Sequence, residues 1–208
     1  MAAKQDGVMI SKALYFGWNR TKQRFLFLAA VFFGTALLIQ LPSQYNRFLS
    51  DNELLIFLNS ILVILLGFAV SWGMTKIAIA EARGQRSDWP MFFGTVPEYA
   101  RYLLVSFAYT AITFFGIILF IIPGIIWSLK YQYMPFLAID KKMGISEAMA
   151  ASSKMTDGVK WDLLALELVT GIINVIGILA LFIGMLMTVP TTYIAKARVY
   201  TQLLSKLK

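Results

Sequence analysis

The sequence predicts an all-α polytopic membrane protein: six transmembrane helices in three hairpins, with additional amphipathic helices on the cytoplasmic side. Three observations predict it. Of the 208 residues, 59% are hydrophobic and 14% charged, whereas soluble domains average about half apolar and about a quarter charged. Apolar runs approach or exceed, several times over, the ~20 residues a helix needs to cross the hydrocarbon. The formal net charge of +8 must crowd into the segments between those runs.

The elements follow in order. In residues 1–24, Ile10, Leu14 and Trp18 recur at i, i+4 while Lys12, Asn19, Arg20, Lys22 and Gln23 fall elsewhere around the turn. That pattern predicts an interfacial amphipathic helix with Trp18 at headgroup depth. Its long basic character and the lack of a cleavage site argue against a secretory leader. A single membrane domain is expected over 25–200. Its first span covers 25–41 and is closed by Pro42. After a polar outer loop, the second covers 54–75, with Lys76 placed to snorkel.

The mixed loop from Glu81 to Arg101 contains DWPMFF, whose aromatic content suits an interfacial turn. The third span, 102–122, and the fourth, 124–139, meet at the uncharged turn Pro123-Gly124 and form a tight hairpin. A connector then holds a small-residue helix over 146–156, with Ser146 as N-cap and Gly158 as its stop. The capping-box position falls on Met149, so only half that motif is present. The fifth span, 162–183, and the sixth, 185–200, meet at Gly184-Met185, and a basic tail occupies 201–208.

Charge tests this count. With six spans, all of the 19 Lys and Arg except Lys130 and Arg47 lie on one face. The positive-inside rule then places both termini in the cytoplasm of a prokaryotic membrane. Four or five spans would scatter the charges over both faces. A shift of 61 residues also lays Gly116 on Gly177, Ile117 on Ile178, and the Pro123-Gly124 turn on Gly184-Met185. A threefold hairpin repeat and chance both account for that.

Composition removes much chemistry. The chain has no cysteine and no histidine, so thiolate nucleophiles, zinc-thiolate sites and the usual general base are absent. No paired carboxylates, metal-ligand spacing or phosphate loop occurs. Neither catalysis, nor a metal, nor a cofactor is expected, and nucleic acid is not an expected partner. The expected partners are membrane lipids with anionic headgroups, approached by Lys12, Arg20, Lys22, Arg24, Lys141 and Lys142. A protein partner or a second copy of the chain is left open.

Well inside the fourth and fifth spans, Lys130 and Glu167 are the charged residues, and Asn174 adds polarity. A charge at that depth costs about 2.5–3.5 kcal/mol on insertion scales, so the two are expected to compensate each other. They serve either as helix-packing glue or as a relay or polar crevice.

The run from Pro123 through YQYMPFLAID and SEAMAASSKMTDGVKWDLLALEL to Pro190 and Tyr200 resembles a bacterial integral-membrane family. That family is catalogued as domain of unknown function 975. It is related to the membrane domain of some glycerophosphodiester phosphodiesterases. The shared pattern falls on Glu147, Ala148, Ser152, Met155, Gly158, Lys160, Trp161, Asp162 and Leu163, with an acidic residue inside the next span at Glu167. The resemblance covers about residues 120–204 and implies a six-helix fold with no assigned activity. Phosphodiester hydrolysis does not carry over, because it belongs to a separate histidine-bearing soluble domain. Two functions are therefore expected: a non-enzymatic accessory or organising protein with its basic face on anionic lipid, or a small transporter or lipid-handling permease with a crevice at Lys130 and Glu167.

Overall fold

A computed structural model describes residues 8–45, 52–180 and 184–207. Among the described residues the regular elements are nine α-helices and two short 3-10 turns. The expected helix over residues 1–24 is present as α1, Ile10–Gln23. The outer-loop residues 46–51, the end of the fifth span at 181–183, residues 1–7 and Lys208 lie outside the described residues.

α1 lies against α9, Met185–Leu203. The helices cross at Gly17, where a Cβ would run into the Thr191 carbonyl oxygen. Beside it, Thr191 Oγ1 donates to Thr21 Oγ1 at 3.2 Å. Trp18 and Tyr15 stay on the outer face.

α2, Phe25–Tyr45, and α3, Glu53–Ala82, run antiparallel. Arg24 meets Glu81, Thr35 meets Met74, and Pro42 meets Asn59 along the pair. Two expected boundaries move. The helix carrying the first span continues past Pro42 to Tyr45, because in a last turn a proline removes a single ladder hydrogen bond, and the Pro42 carbonyl accepts from Asn59 Nδ2 at 2.8 Å. α3 runs past residue 75 because Ile77 through Ala82 are buried, and Arg198 Nη1 caps the Ala82 carbonyl at 2.9 Å.

The loop folds back through the 3-10 turn Trp89–Phe92, whose Phe92 ring fills the space a Cβ on Gly73 would need. α4, Val96–Leu119, begins earlier than residue 102. Pro97 sits in its first turn, and the Glu98 carboxylate accepts from the Thr95 N–H at 3.4 Å. The single fourth span expected over 124–139 is two helices, α5 (Ile121–Tyr131) and α6 (Met134–Asp140). Pro135 in the first turn of α6 has no N–H to continue the ladder, so the chain breaks at Gln132-Tyr133. The 11 residues of α5 reach about 16 Å at 1.5 Å per residue, half of a ~30 Å hydrocarbon core.

α7, Ile145–Thr156, is the connector helix. Its N-cap is Gly144 and not Ser146, because Glu147 reaches back to accept from the Gly144 N–H at 3.1 Å. Gly158 stops it as expected, with φ +76. Ala148, Ser152, Met155 and Thr156 form its buried face. α8, Lys160–Leu179, and α9 are antiparallel, and α9 packs on α1, α2, α3 and α8. The expected tail is helical to Leu203 and then turns back, where Lys206 Nζ donates to the Asp157 carbonyl at 3.0 Å.

Four of these helices, α2, α3, α4 and α8, are long and apolar enough to cross a membrane. The α4–α5 and α8–α9 hairpins both pack closely at a glycine, one residue out of the 61-residue register. A Cβ on Gly124 would meet the Ile117 nitrogen at 2.5 Å, and one on Gly184 the Gly177 carbonyl at 2.7 Å. Both hairpins thus close on a glycine contact. The main core gathers α6, α7, the start of α8 and the end of α9. Large apolar side chains lie exposed on α2, the first half of α3, the α4–α5 tip and the second half of α8.

Candidate functional site

Two polar constellations stand out, one at the charged end of the bundle and one inside it. At the charged end, α3 brings Glu81 into full burial. One carboxylate oxygen accepts from Arg20 Nε at 2.5 Å; the other accepts from Arg24 Nη1 and from Ser87 Oγ at 2.5 Å. Arg20 Nη2 also donates to the carbonyls of Gly84 and Gln85, at 2.9 and 2.8 Å. Two arginines of the α1 segment therefore clamp the loop that leaves α3.

Arg20 and Arg24, both expected at lipid headgroups, are thus paired with a buried carboxylate while 20% and 14% of their side chains stay exposed. Of the other expected headgroup residues, Lys12 and Lys22 are exposed, and Lys22 lies over the Trp18 ring at 5.1 Å. Lys141 is 3.9 Å from Asp140, and Lys142 is 3.4 Å from Glu98, both with exposed side chains.

Asp140 ends α6 as a second clamp, accepting from Arg83 Nη2 at 2.7 Å and from the Tyr200 hydroxyl at 2.8 Å. Burial pushes its carboxyl up. The Arg83 and Tyr200 hydrogen bonds, with the charges of Arg83 and Lys141, outweigh burial and hold it below the usual carboxylate range. The Asp162 carboxylate accepts from the Val8 N–H at 2.9 Å, fastening the chain before α1 to the first turn of α8.

The second constellation lies deeper. Glu167 on α8 pairs with Lys196 on α9 at 2.6 Å, each side chain about one-third exposed (34% and 33%). The pairing expected with Lys130 is not formed. The break at Gln132 ends α5 beside α7, with Lys130 in the last turn of α5. Its carbonyl accepts from Ser152 Oγ at 2.8 Å and Thr156 Oγ1 at 3.2 Å, and its ammonium lies over the Tyr131 ring at 5.2 Å. Asn174 exchanges hydrogen bonds with Thr192 at 3.3 and 3.4 Å, joining α8 to α9.

The Glu167–Lys196 pair opens on a cavity of about 470 Å³, lined also by Thr75, Tyr109, Gln132, Tyr133 and Tyr193. Thr75, Glu167 and Lys196 each stand seven residues from the charged end of their helices, at Ala82, Lys160 and Leu203. At 1.5 Å per residue that is a common depth of roughly 10 Å. Tyr133, only 1% exposed, comes from the α5–α6 break and packs on Phe136 and Tyr200. Its hydroxyl has no hydrogen-bond partner among the described residues.

Sequence reasoning missed the pairings of Glu81, Asp140 and Lys196. Arg20 and Arg24 at i, i+4 put two guanidiniums on one helix face, which was a signal for a shared counter-charge. Lys196 recurs with Arg198 near the chain end and reads as topology. Comparison with known protein families, curated proteins and solved structures gives no match to this chain.

Proposed function

We propose that this chain is a non-enzymatic, six-span accessory or organising protein of a prokaryotic cytoplasmic membrane, with its basic face on anionic lipid. The observation that carries the reading is a groove of about 680 Å³ lined by Arg20, Lys22, Arg24 and Arg86 beside Phe25, Leu26 and Phe27. Cationic side chains there adjoin the first apolar turn of α2, and Leu26 is 83% exposed. A phospholipid needs that juxtaposition: positive charge for its phosphate, and apolar surface directly below for its chains.

Six spans and three hairpins remain the preferred topology. The α2–α3, α4–α5 and α8–α9 pairs support it, with α5 and α6 together serving as the fourth crossing and α9 as the sixth. Both termini then lie in the cytoplasm. Membership of the family catalogued as domain of unknown function 975 is proposed on the run from Glu147 to Leu163.

The test is lipid retention. Purified chain exchanged into mixed phosphatidylcholine and phosphatidylglycerol nanodiscs is expected to retain phosphatidylglycerol in native mass spectra. Lys22→Gln with Arg86→Gln should reduce that retention severalfold. Equal retention of both lipids would overturn the reading. A second reading, a small permease, is favoured by the cavity at Glu167 and Lys196, which replaces the crevice expected at Lys130 and Glu167.

A further inference from the structure

We infer that the cavity at Glu167 and Lys196 is a binding site for a small zwitterion, one ammonium and one carboxylate or phosphate joined by a short linker. The inference does not rest on the lipid-organising reading, since the cavity and the basic groove share no residue.

The charges set the ligand class. One ammonium and one carboxylate face the same space, 2.6 Å apart and each only about one-third exposed. A singly charged ligand would engage one and strand the other inside the bundle, and an orphaned charge in such a place is costly. A zwitterion exchanges the internal pair for two external ones, its anion on Lys196 and its ammonium on Glu167. The balance of charge in the site is then unchanged. Lys196 keeps donors that Glu167 does not occupy, and the Glu167 Oε1 is free of any hydrogen bond among the described residues.

Three further features fit. The volume, about 470 Å³, falls within the ~300–1,000 Å³ typical of small-molecule sites. Tyr109, Tyr133 and Tyr193 line the space, and aromatic faces attract ammonium groups. The Tyr133 hydroxyl is buried and without a partner among the described residues. A buried hydroxyl left unpaired is uncommon in folded proteins, and an anionic acceptor in the cavity would supply what it lacks. It stands at the α5–α6 break, and interrupted helices at membrane depth occur where the chain lines a cavity.

The shared chemistry has two sources, a free solute or the headgroup of an ethanolamine phospholipid. Full-length protein in nanodiscs of phosphatidylglycerol alone would be titrated with O-phosphoethanolamine, glycine, ethanolamine and ethyl phosphate, with binding read calorimetrically. A parallel set of discs would contain phosphatidylethanolamine.

Binding of either soluble zwitterion at least tenfold tighter than both singly charged probes supports the inference and points to a solute. Binding only in the form of phosphatidylethanolamine, seen as selective retention in native mass spectra, supports it and points to lipid. Tyr133→Phe should weaken binding about tenfold while the melting temperature holds or rises, because its hydroxyl has no partner to lose. Glu167→Gln with Lys196→Met should abolish binding. No preference for zwitterions in any arm, or undiminished binding by Tyr133→Phe and the double variant, would overturn it.

Discussion

Glu81 and Ile122 stand at opposite ends of the bundle and show two ways of holding helices together. Glu81 is wholly buried and engages Arg20, Arg24 and Ser87. Ile122, at the start of α5, is 73% exposed, and Phe120 and Ile121 beside it are nearly as open. Around the charged end, Ala148, Met155, Leu163 and Leu166 are fully buried. Around the apolar end, the membrane-length helices bury at most 22% of their most apolar windows.

Solvent explains the contrast. Outside the hydrocarbon, burying apolar surface is favourable at roughly 25 cal/mol per Å². Inside it, lipid tails are as apolar as leucine, and helices associate through close packing and hydrogen bonds alone. The charged end therefore carries a core and an ion-pair lattice, while the apolar end is held by glycine contacts at Gly124 and Gly184 and by the Asn59–Pro42 hydrogen bond.

The largest effect expected from breaking this contrast is at Glu81. Glu81→Gln leaves two guanidiniums side by side with only the exposed Asp88, 4.0 Å from Arg24, as a counter-charge. Loss of one partner from a buried pair costs ~3–5 kcal/mol, read as thermal or denaturant unfolding in detergent. A loss well under 1 kcal/mol would mean that the clamp does not hold α1 to α3.

Next come two glycines. Gly17→Leu must push α1 off α9, since even a Cβ meets the Thr191 carbonyl; overpacking of this kind costs ~1–3 kcal/mol. Gly34→Ala in α2 meets nothing within 4 Å and should be neutral or stabilising by up to ~1 kcal/mol through helix propensity. Similar losses at both positions in circular-dichroism melts would erase the distinction between the ends.

A smaller effect is expected in acid. The folded-state pKa of Asp140 is held below its ordinary value, so the stability it contributes is complete above the unfolded value of about 3.9. That contribution disappears as pH falls through the folded value. Asp140→Asn should flatten the acid limb of a stability–pH profile below about pH 4 and leave its slope from pH 5 to 8 unaltered. Least of all, Ile122→Ala should shift detergent stability by no more than about 0.5 kcal/mol, as exposed substitutions do.

Much of the apolar end was legible in the sequence, because hydropathy reports what lipid demands of a helix; the expected turn at Pro123-Gly124 instead falls at Phe120, with Pro123 and Gly124 in the first turn of α5, where a proline needs no ladder N–H. The charged end was not legible. Glu81 sits in AIAEARG and reads as the rim of a loop, while its partners lie 61 and 57 residues away. The run around Lys130 reads as one continuous apolar helix, yet Pro135 divides it and turns Lys130 toward α7 and away from Glu167. Glu167 stands out in the sequence as a charge within an apolar run. Its partner Lys196, 29 residues on, was assigned to topology, since nothing local distinguishes a lysine that pairs inward from one that faces headgroups.

The central claim is that the apolar end lies in lipid and the charged end in water. The chain has no cysteine of its own, so single cysteines carrying a spin label can be placed freely. Labels at Ile64, Ile118 and Ile172 in liposomes should be relaxed by oxygen and hardly by a polar nickel reagent, while labels at Arg86 and Lys154 show the reverse. High nickel accessibility at Ile64, Ile118 and Ile172 would contradict the account.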